Sequence, residues 1–198
     1  MMILAVMMVA TLTASAQQAV GTWSVTPKVG MNFATVRDGG DDAKMKFGLV
    51  AGADLTYQIA QPFAISVGAF YSMQGAKVSE KEFGVTVDGT ANLEYINVPI
   101  LANIYVVPGL AIKAGIQPGF NVKHKAKSKG KVEGHSFEAE TDIDDFKSFD
   151  FSIPLGLSYE FSDFVIDARY NLGLTDLIED AKGKNSVIQF TLGYKIPL

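Results

Sequence analysis

The chain has 198 residues, of which 48% are hydrophobic and 19% charged, so it is long enough for one well-buried domain. Its formal net charge of −4 argues against nucleic-acid binding, which normally needs a strongly basic face. Because cysteine is absent, disulfides, cysteine-ligated metal sites and thiol nucleophiles are excluded, as is the cysteine on which a bacterial lipoprotein is anchored.

The N-terminal segment is expected to be an export signal. Residues 3–12 are almost wholly apolar, and Ala14, Ser15 and Ala16 are the small residues that signal peptidase accepts. We therefore predict a signal peptide at 1–16 and a mature domain at 17–198. Nothing downstream has the roughly 20 consecutive apolar residues of a membrane helix. The mature protein is thus either exported and soluble or crosses a membrane by other means.

Eight later segments alternate apolar with small or polar residues. Because a strand sends successive side chains to opposite faces, each segment has one apolar and one polar face. The clearest runs for thirteen residues, from Phe149 to Phe161. The eight segments are 23–34, 47–58, 63–74, 94–106, 110–123, 149–161, 164–173 and 188–196. The pattern predicts an all-β fold, an eight-stranded antiparallel up-and-down transmembrane β-barrel with the even strand number that outer-membrane barrels require.

The connections between these segments alternate in length. Residues 59–62, 107–109 and 162–163 are tight turns with suitable turn residues. Longer polar stretches, predicted as loops, occupy 35–46, 75–93, 124–147 and 175–186. Short turns on one side and long loops on the other are typical of the periplasmic and extracellular ends of an outer-membrane barrel.

The apolar face carries aromatic residues in two groups separated by smaller aliphatic residues. The short-turn group is Trp23, Tyr57, Phe63, Tyr159, Phe161, Phe164 and Tyr194, and the long-loop group is Phe33, Phe47, Tyr71, Phe120, Phe149, Phe151, Tyr170 and Phe190. Two aromatic belts around an aliphatic band match the two interfaces of a bilayer. We therefore predict that this face contacts outer-membrane lipid and that the chain is exported to the outer membrane.

The polar face carries charged residues among Gly, Ser, Thr, Asn and Gln, namely Lys28, Asp54, Lys113, Glu160, Asp167, Arg169 and Lys195. Eight strands enclose a space that side chains roughly fill, and isolated buried charges are unfavourable. These residues are therefore interpreted as a paired, hydrogen-bonded network that plugs the lumen, with a proton or ion path as the alternative. Four prolines fall inside predicted strands and imply bulges or local breaks: Pro27, Pro99, Pro118 and Pro154.

The third long loop contains two charge ladders. Lysines recur at every second position from Lys123, as Lys125, Lys127, Lys129 and Lys131, and carboxylates follow as Glu138, Glu140, Asp142 and Asp144. On strands each set shares one face, and counting by two places the lysines on the lumen-facing side. We predict that the fifth and sixth strands continue as a hairpin turning near residues 132–136. Lys131 would then stand opposite Glu138 and Lys127 opposite Asp142, with a disordered loop or a charged binding surface as alternatives.

The chain resembles the small outer-membrane β-barrel proteins widespread in Bacteroidetes-type bacteria, related to the PorT component of type IX secretion. The resemblance rests on residues 95–101 (YINVPIL), 152–156 (SIPLG) and 169–177 (RYNLGLTDL). It implies an eight-stranded barrel in the outer membrane and little about its task. The C-terminus, KIPL at 195–198, departs from the aromatic ending usual for barrel insertion.

No nucleophile elbow, phosphate loop, zincin motif or dinucleotide fingerprint is present. Both histidines, His124 and His135, lie in the third long loop and are expected to be solvated, and residues 38–42 (DGGDD) do not match an EF-hand loop. We therefore predict no enzyme activity, no catalytic or metal site and no cofactor.

Three functions stay open from the sequence. The preferred one is a structural or interaction role, in which a monomeric barrel presents extracellular loops to an envelope protein, for example within a secretion complex. The second is transport or binding of a small solute through the lumen. The third is a secreted, soluble ligand-binding barrel of the lipocalin type.

Overall fold

The computed structural model describes residues 18–37, 44–82, 85–132, 135–142, 147–178 and 182–198. Within them the chain forms eleven strands and one antiparallel sheet. The strands are β1 Trp23–Arg37, β2 Lys44–Ala60, β3 Phe63–Glu82, β4 Val85–Asn97, β5 Ile100–Val107, β6 Leu110–Val132, β7 His135–Asp142, β8 Phe149–Phe161, β9 Phe164–Asp176, β10 Lys184–Tyr194 and β11 Ile196–Pro197. Among these residues no helix is long and apolar enough to cross a membrane.

The sheet closes into a ring of eight, which confirms the predicted barrel. The strands pair in the order β1, β2, β3, β4, β6, β8, β9 and β10, and β10 pairs with β1 to complete the circle. The eight positions are filled by β1, β2, β3, β4 with β5, β6, β7 with β8, β9, and β10 with β11. Closure leaves the ring with no edge strand in its membrane-spanning part.

Two of the four strand prolines, Pro27 and Pro99, lie at interruptions of the pairing, as predicted. Pro99 lacks a backbone N–H and lies in the gap between β4 and β5, where Val98 N–H donates to the carbonyl of Pro118 at 2.8 Å. Between β1 and the C-terminal strand, pairing stops after Lys28–Gly193 and resumes at Val25–Ile196, on either side of Pro27. Pro154 and Pro118 stay within β8 and β6, which remain continuous strands.

The alternation along each strand separates the two faces as predicted. In β1, Trp23, Val29 and Met31 are exposed, whereas Lys28 and Asn32 are buried in the interior. The aromatic belts are also present as contacts on the outer wall. At the short-turn end Trp23 packs on Tyr57, with ring centroids 4.7 Å apart, and Phe164 packs on Tyr194 at 5.4 Å. At the other end Phe33 packs on Phe47 at 5.9 Å, and Phe120 on Phe149 at 5.8 Å.

The distance between the belts fits a bilayer. Trp23 and Phe33 lie ten residues apart on β1, one in each of the two belts. At about 3.3 Å per residue and a strand tilt of about 40°, ten residues rise roughly 25 Å along the barrel axis. This is the height of the apolar band of an outer-membrane barrel.

The predicted loop at 75–93 is wrong. β3 continues to Glu82 and β4 begins at Val85, and the two pair without interruption from Phe70–Asn97 to Glu82–Val85. Beyond the belt neither face of a strand has to meet lipid, so a strand there needs no apolar face, and the alternation that marks the other strands is weak. The β3–β4 and β6–β7 hairpins therefore extend well past the belt, and we call this side of the barrel the hairpin end.

Candidate functional site

The barrel interior is filled at three levels. The middle level, which we call the middle cluster, is centred on Asp167 of β9. Its carboxylate forms ion pairs with Lys113 Nζ at 2.7 Å, Lys28 Nζ at 3.2 Å and Arg169 Nε at 3.0 Å. Lys28 also pairs with Asp54 at 2.7 Å. All five side chains are at least nine-tenths buried, and three cations face two carboxylates, so the cluster carries a net charge of +1.

Phe70 covers the guanidinium of Arg169. The guanidinium carbon lies 5.7 Å from the centre of the ring, a cation–π distance, and Phe70 is 3% exposed. Sequence reasoning did not place Phe70 in the lumen. The alternation in β3 could have indicated this position, because Phe70 is on the same face of the strand as the small residues Ala64, Ser66 and Gly68.

A second level lies nearer the short turns. Glu160 of β8 accepts a hydrogen bond from Lys195 Nζ at 2.5 Å and another from the Tyr105 hydroxyl at 2.7 Å. Ala64 and Ala111 pack against Tyr105 in the same layer. Glu160 and Lys195 were predicted as part of one lumen network with the other five charged residues. The structure instead places them in a separate pair, and it adds Tyr105.

The third level lies toward the hairpin end. Asp150 accepts hydrogen bonds from Thr175 Oγ1 at 2.5 Å and from Asn185 Nδ2 at 2.9 Å, and Asn185 also donates to the Tyr95 hydroxyl at 3.2 Å. Above them Leu93, Tyr95 and Leu177 form a buried apolar cluster, with Val36 and Ile178 packed against it. Among the described residues of this end, a polar layer is thus followed by a buried apolar cluster.

The β6–β7 hairpin is present, but its register differs from the prediction. Val132 pairs directly with His135. The pairs that follow are Lys131–Ser136, Lys129–Glu138, Lys127–Glu140 and Lys125–Asp142. The predicted pairs Lys131–Glu138 and Lys127–Asp142 are therefore wrong by two residues, because a wider turn was assumed. Asp144 lies outside the described residues.

The predicted face of the lysine ladder is also wrong. Tyr95 pairs with Asn121, whereas the next residue, Glu94, pairs with Lys123, so Val122 is an extra residue in β6. Such a β-bulge shifts every later residue to the other face of the strand. Tyr95 is buried in the interior, so Lys123 stands beside Glu94 on the outer face.

Glu94 is the centre of a polar group on this outer face, just beyond the aromatic belt. It accepts a hydrogen bond from the Tyr71 hydroxyl and pairs with Lys123 Nζ at 3.1 Å. The hydrogen bond from Tyr71, followed by that from Lys123, holds the pKa of Glu94 below its ordinary value.

In the described part of the chain, no three His, Cys, Asp or Glu residues come together in a way that could hold a metal ion. His124 Nδ1 lies 2.9 Å from Asn121 Oδ1, and His135 begins β7. The acidic run at 38–42 and the predicted signal peptide at 1–16 lie outside the described residues.

Comparison with protein families agrees with this architecture. A family model described as outer membrane protein beta-barrel domain matches residues 15–179, which is most of the chain. The chain belongs to this family. In such barrels the short turns face the periplasm, so the hairpin end of this outer-membrane barrel is assigned to the cell exterior. No curated protein matches the chain.

Several solved structures are similar to this chain at low sequence identity, and the first of those that follow shows the same fold. Neisserial surface protein A is 10% identical, with a TM-score of 0.53, and the match covers 88% of this chain and 97% of that one. The attachment invasion locus protein Ail of Yersinia pestis is 18% identical, with a TM-score of 0.49 and coverage of 90% and 100%. OprG of Pseudomonas aeruginosa is 13% identical, with a TM-score of 0.44 and coverage of 91% and 98%.

Proposed function

We propose that this outer-membrane barrel is a closed, non-catalytic scaffold that presents its extracellular hairpins to a partner in the envelope or at the cell surface. The observation that carries the proposal is the filled lumen. Three successive layers, around Glu160, Asp167 and Asp150, are occupied by buried, mutually bonded side chains. A solute would have to break all three layers in order to pass.

The extracellular extension supports the interaction role. Glu82 at the tip of β3 lies eleven residues beyond Tyr71 in the aromatic belt. At about 3.3 Å per residue this is roughly 35 Å along the strand. The extension of β3, β4, β6 and β7 is a paired sheet, which can present a fixed surface to a protein or glycan. The residues of the two predicted charge ladders that the structure describes lie on β6 and β7 of this extension.

The narrower assignments made from the sequence remain part of the proposal. They are kinship with the PorT-like barrels of Bacteroidetes-type bacteria, export through a signal peptide cleaved after Ala16, and a monomeric barrel. Membership of the outer-membrane barrel family is compatible with each of them.

Planar-bilayer conductance tests the closed lumen. Folded protein inserted at high copy number should give no single-channel steps under conditions where a general porin conducts. The proposal fails if the wild-type chain gives stable steps whose size changes with the lumen variant Asp167→Asn but not with the lipid-facing variant Ala168→Leu. That result would support solute transport through the lumen.

Affinity capture from intact envelope tests the interaction role. The wild-type chain is compared with a variant in which residues 126–141 are replaced by Asn-Gly, which keeps the membrane-spanning part of β6 and β8. We expect a protein or glycan that is retained by the wild type and lost with the hairpin. Identical recovery by both chains would exclude this hairpin as the interaction surface.

A further inference from the structure

Basic residues gather on the outer wall of the barrel just beyond the extracellular aromatic belt. We call this group the rim patch and define it as Lys44 and Lys46 of β2, Lys77 of β3, Glu94 of β4 and Lys123 of β6. The strands β2, β3, β4 and β6 are consecutive neighbours in the ring, so the patch is one continuous surface. Four ammonium groups and one carboxylate give it a net charge of +3.

The patch brings like charges together. Lys44 and Lys77 stand directly opposite each other in the β2–β3 pairing, and both are exposed. Like charges in directly opposite positions destabilise a sheet unless a counter-charge lies between them. Lys46 is half-buried, and its Nζ donates to the carbonyl of Gln74 at 2.6 Å. Burial, together with the nearby Lys77, lowers the pKa of Lys46, and the charge of Glu94 opposes this shift.

Glu94 cannot neutralise the patch alone. Its carboxylate already accepts a hydrogen bond from the Tyr71 hydroxyl and pairs with Lys123 at 3.1 Å, so one carboxylate faces a patch of four lysines. The Lys123 side chain nevertheless remains 47% exposed and can contact a second anion.

The position of the patch relative to the membrane is fixed by its apolar neighbours. Val122, beside Lys123, is 55% exposed. The belt residue Phe47 lies three residues from Lys44, about 10 Å along the strand and about 8 Å along the membrane normal at the usual tilt. Lipid headgroups occupy this zone, where long lysine side chains reach the interface while their neighbours contact hydrocarbon.

We propose that the rim patch binds the phosphate groups of anionic lipids in the outer leaflet. The lipid supplies the counter-charge between Lys44 and Lys77, and its acyl chains lie along Phe47 and Val122. A phosphate carries several acceptor oxygens and can contact two or three of the ammonium groups at once. This site would fix the depth and rotation of the barrel in the membrane. It is independent of the lumen and goes beyond the partner interaction proposed above.

Native mass spectrometry of the folded, detergent-solubilised chain tests the proposal. Dioleoylphosphatidylglycerol and dioleoylphosphatidylcholine are the probes, since they share acyl chains and differ in headgroup charge. We compare the wild type with Lys44→Gln/Lys77→Gln and with a control that loses the same charge elsewhere, Lys182→Gln/Lys184→Gln. Heat-modifiable electrophoretic mobility verifies that each variant is folded, and the single variant Lys77→Gln replaces the double variant if that one does not fold.

The wild type should retain phosphatidylglycerol in preference to phosphatidylcholine. Removing two rim lysines should weaken phosphatidylglycerol binding roughly 10- to 30-fold, from the usual contribution of each basic residue near an anionic surface, whereas the control should bind as the wild type does. Equal losses in both variants, or equal retention of the two lipids by the wild type, would overturn the proposal. So would displacement of the lipid by an equimolar amount of inorganic phosphate, because the site would then recognise the free anion.

Discussion

Asp167 is the carboxylate on which the middle cluster depends, and its replacement gives the sharpest test of a dry lumen. Asp167→Asn keeps the shape of the side chain and removes its charge. Lys113 at 2.7 Å, Lys28 at 3.2 Å and Arg169 at 3.0 Å would each lose a charged partner. The net charge of the cluster would rise from +1 to +2, with Asp54 as its remaining carboxylate.

The magnitude follows from the burial of these groups. Removing one partner of a buried ion pair leaves an uncompensated charge and typically lowers the free energy of unfolding by about 3–5 kcal/mol. Glu94→Gln is the matched control, since it removes one carboxylate from the exposed pair with Lys123, where about 0–1 kcal/mol is expected. Urea unfolding in phospholipid vesicles measures both changes, followed by the fluorescence of Trp23, the single tryptophan of the chain.

A third variant separates charge imbalance from general misfolding. Lys113→Met in the Asp167→Asn background removes one of the stranded cations, so it should recover part of the lost free energy of unfolding. If Asp167→Asn is as mild as Glu94→Gln, water reaches the middle cluster and the reasoning from a dry, filled lumen is refuted.

Three further predictions concern the wall, the plug and the hairpin. Leu155→Arg and Ala168→Arg each place a cation on the lipid face near the bilayer midplane and should destabilise by about 2–4 kcal/mol in vesicle-based folding titrations; small, equal effects would mean that the faces are reversed. Arg169→Ala removes a buried ion pair with Asp167 and the contact with Phe70 and should lower the melting temperature well below that of the surface variant Lys182→Ala, whereas equal melting would indicate an open lumen. Hydrogen exchange should find protected amides at residues 125–129 of the β6–β7 hairpin, and free exchange throughout that segment would contradict the observed pairing.

The membrane-spanning part of the fold could be predicted from the sequence because lipid imposes a strict rule on it. Every second residue must be apolar and the two ends must carry aromatic residues, so the strand at 149–161 can be predicted from its alternation alone. The seven charged lumen residues followed from the same rule, since all of them lie on the polar side of that alternation. Each is at most 8% exposed in the structure.

The remainder depended on information that alternation does not carry. The β3–β4 extension lies beyond the belt, where no lipid selects an apolar face. The bulge at Val122 moved Lys123 to the face opposite to the predicted one, because counting every second residue assumes a strand without an extra residue. The lumen charges separate into a cluster around Asp167 and a pair around Glu160, and predicting this separation would have required the pairing register of all eight strand positions. Phe70, Tyr95 and Tyr105 were missed as lumen residues because aromatic residues were expected in the belts.

The closing pair of the ring, β1 with β10, has a consequence for how the chain reaches its folded state. Val29 pairs with Leu192, so the contact that completes the barrel joins residues more than 160 positions apart. Such distant contacts form slowly because a long chain must first be ordered. Until β10 arrives, β1 and the last completed strand both expose unpaired backbone groups, which invite pairing with other chains. Pairing with other chains therefore stays possible until the last step of assembly, when nearly all of the barrel is in place and two edges are still open.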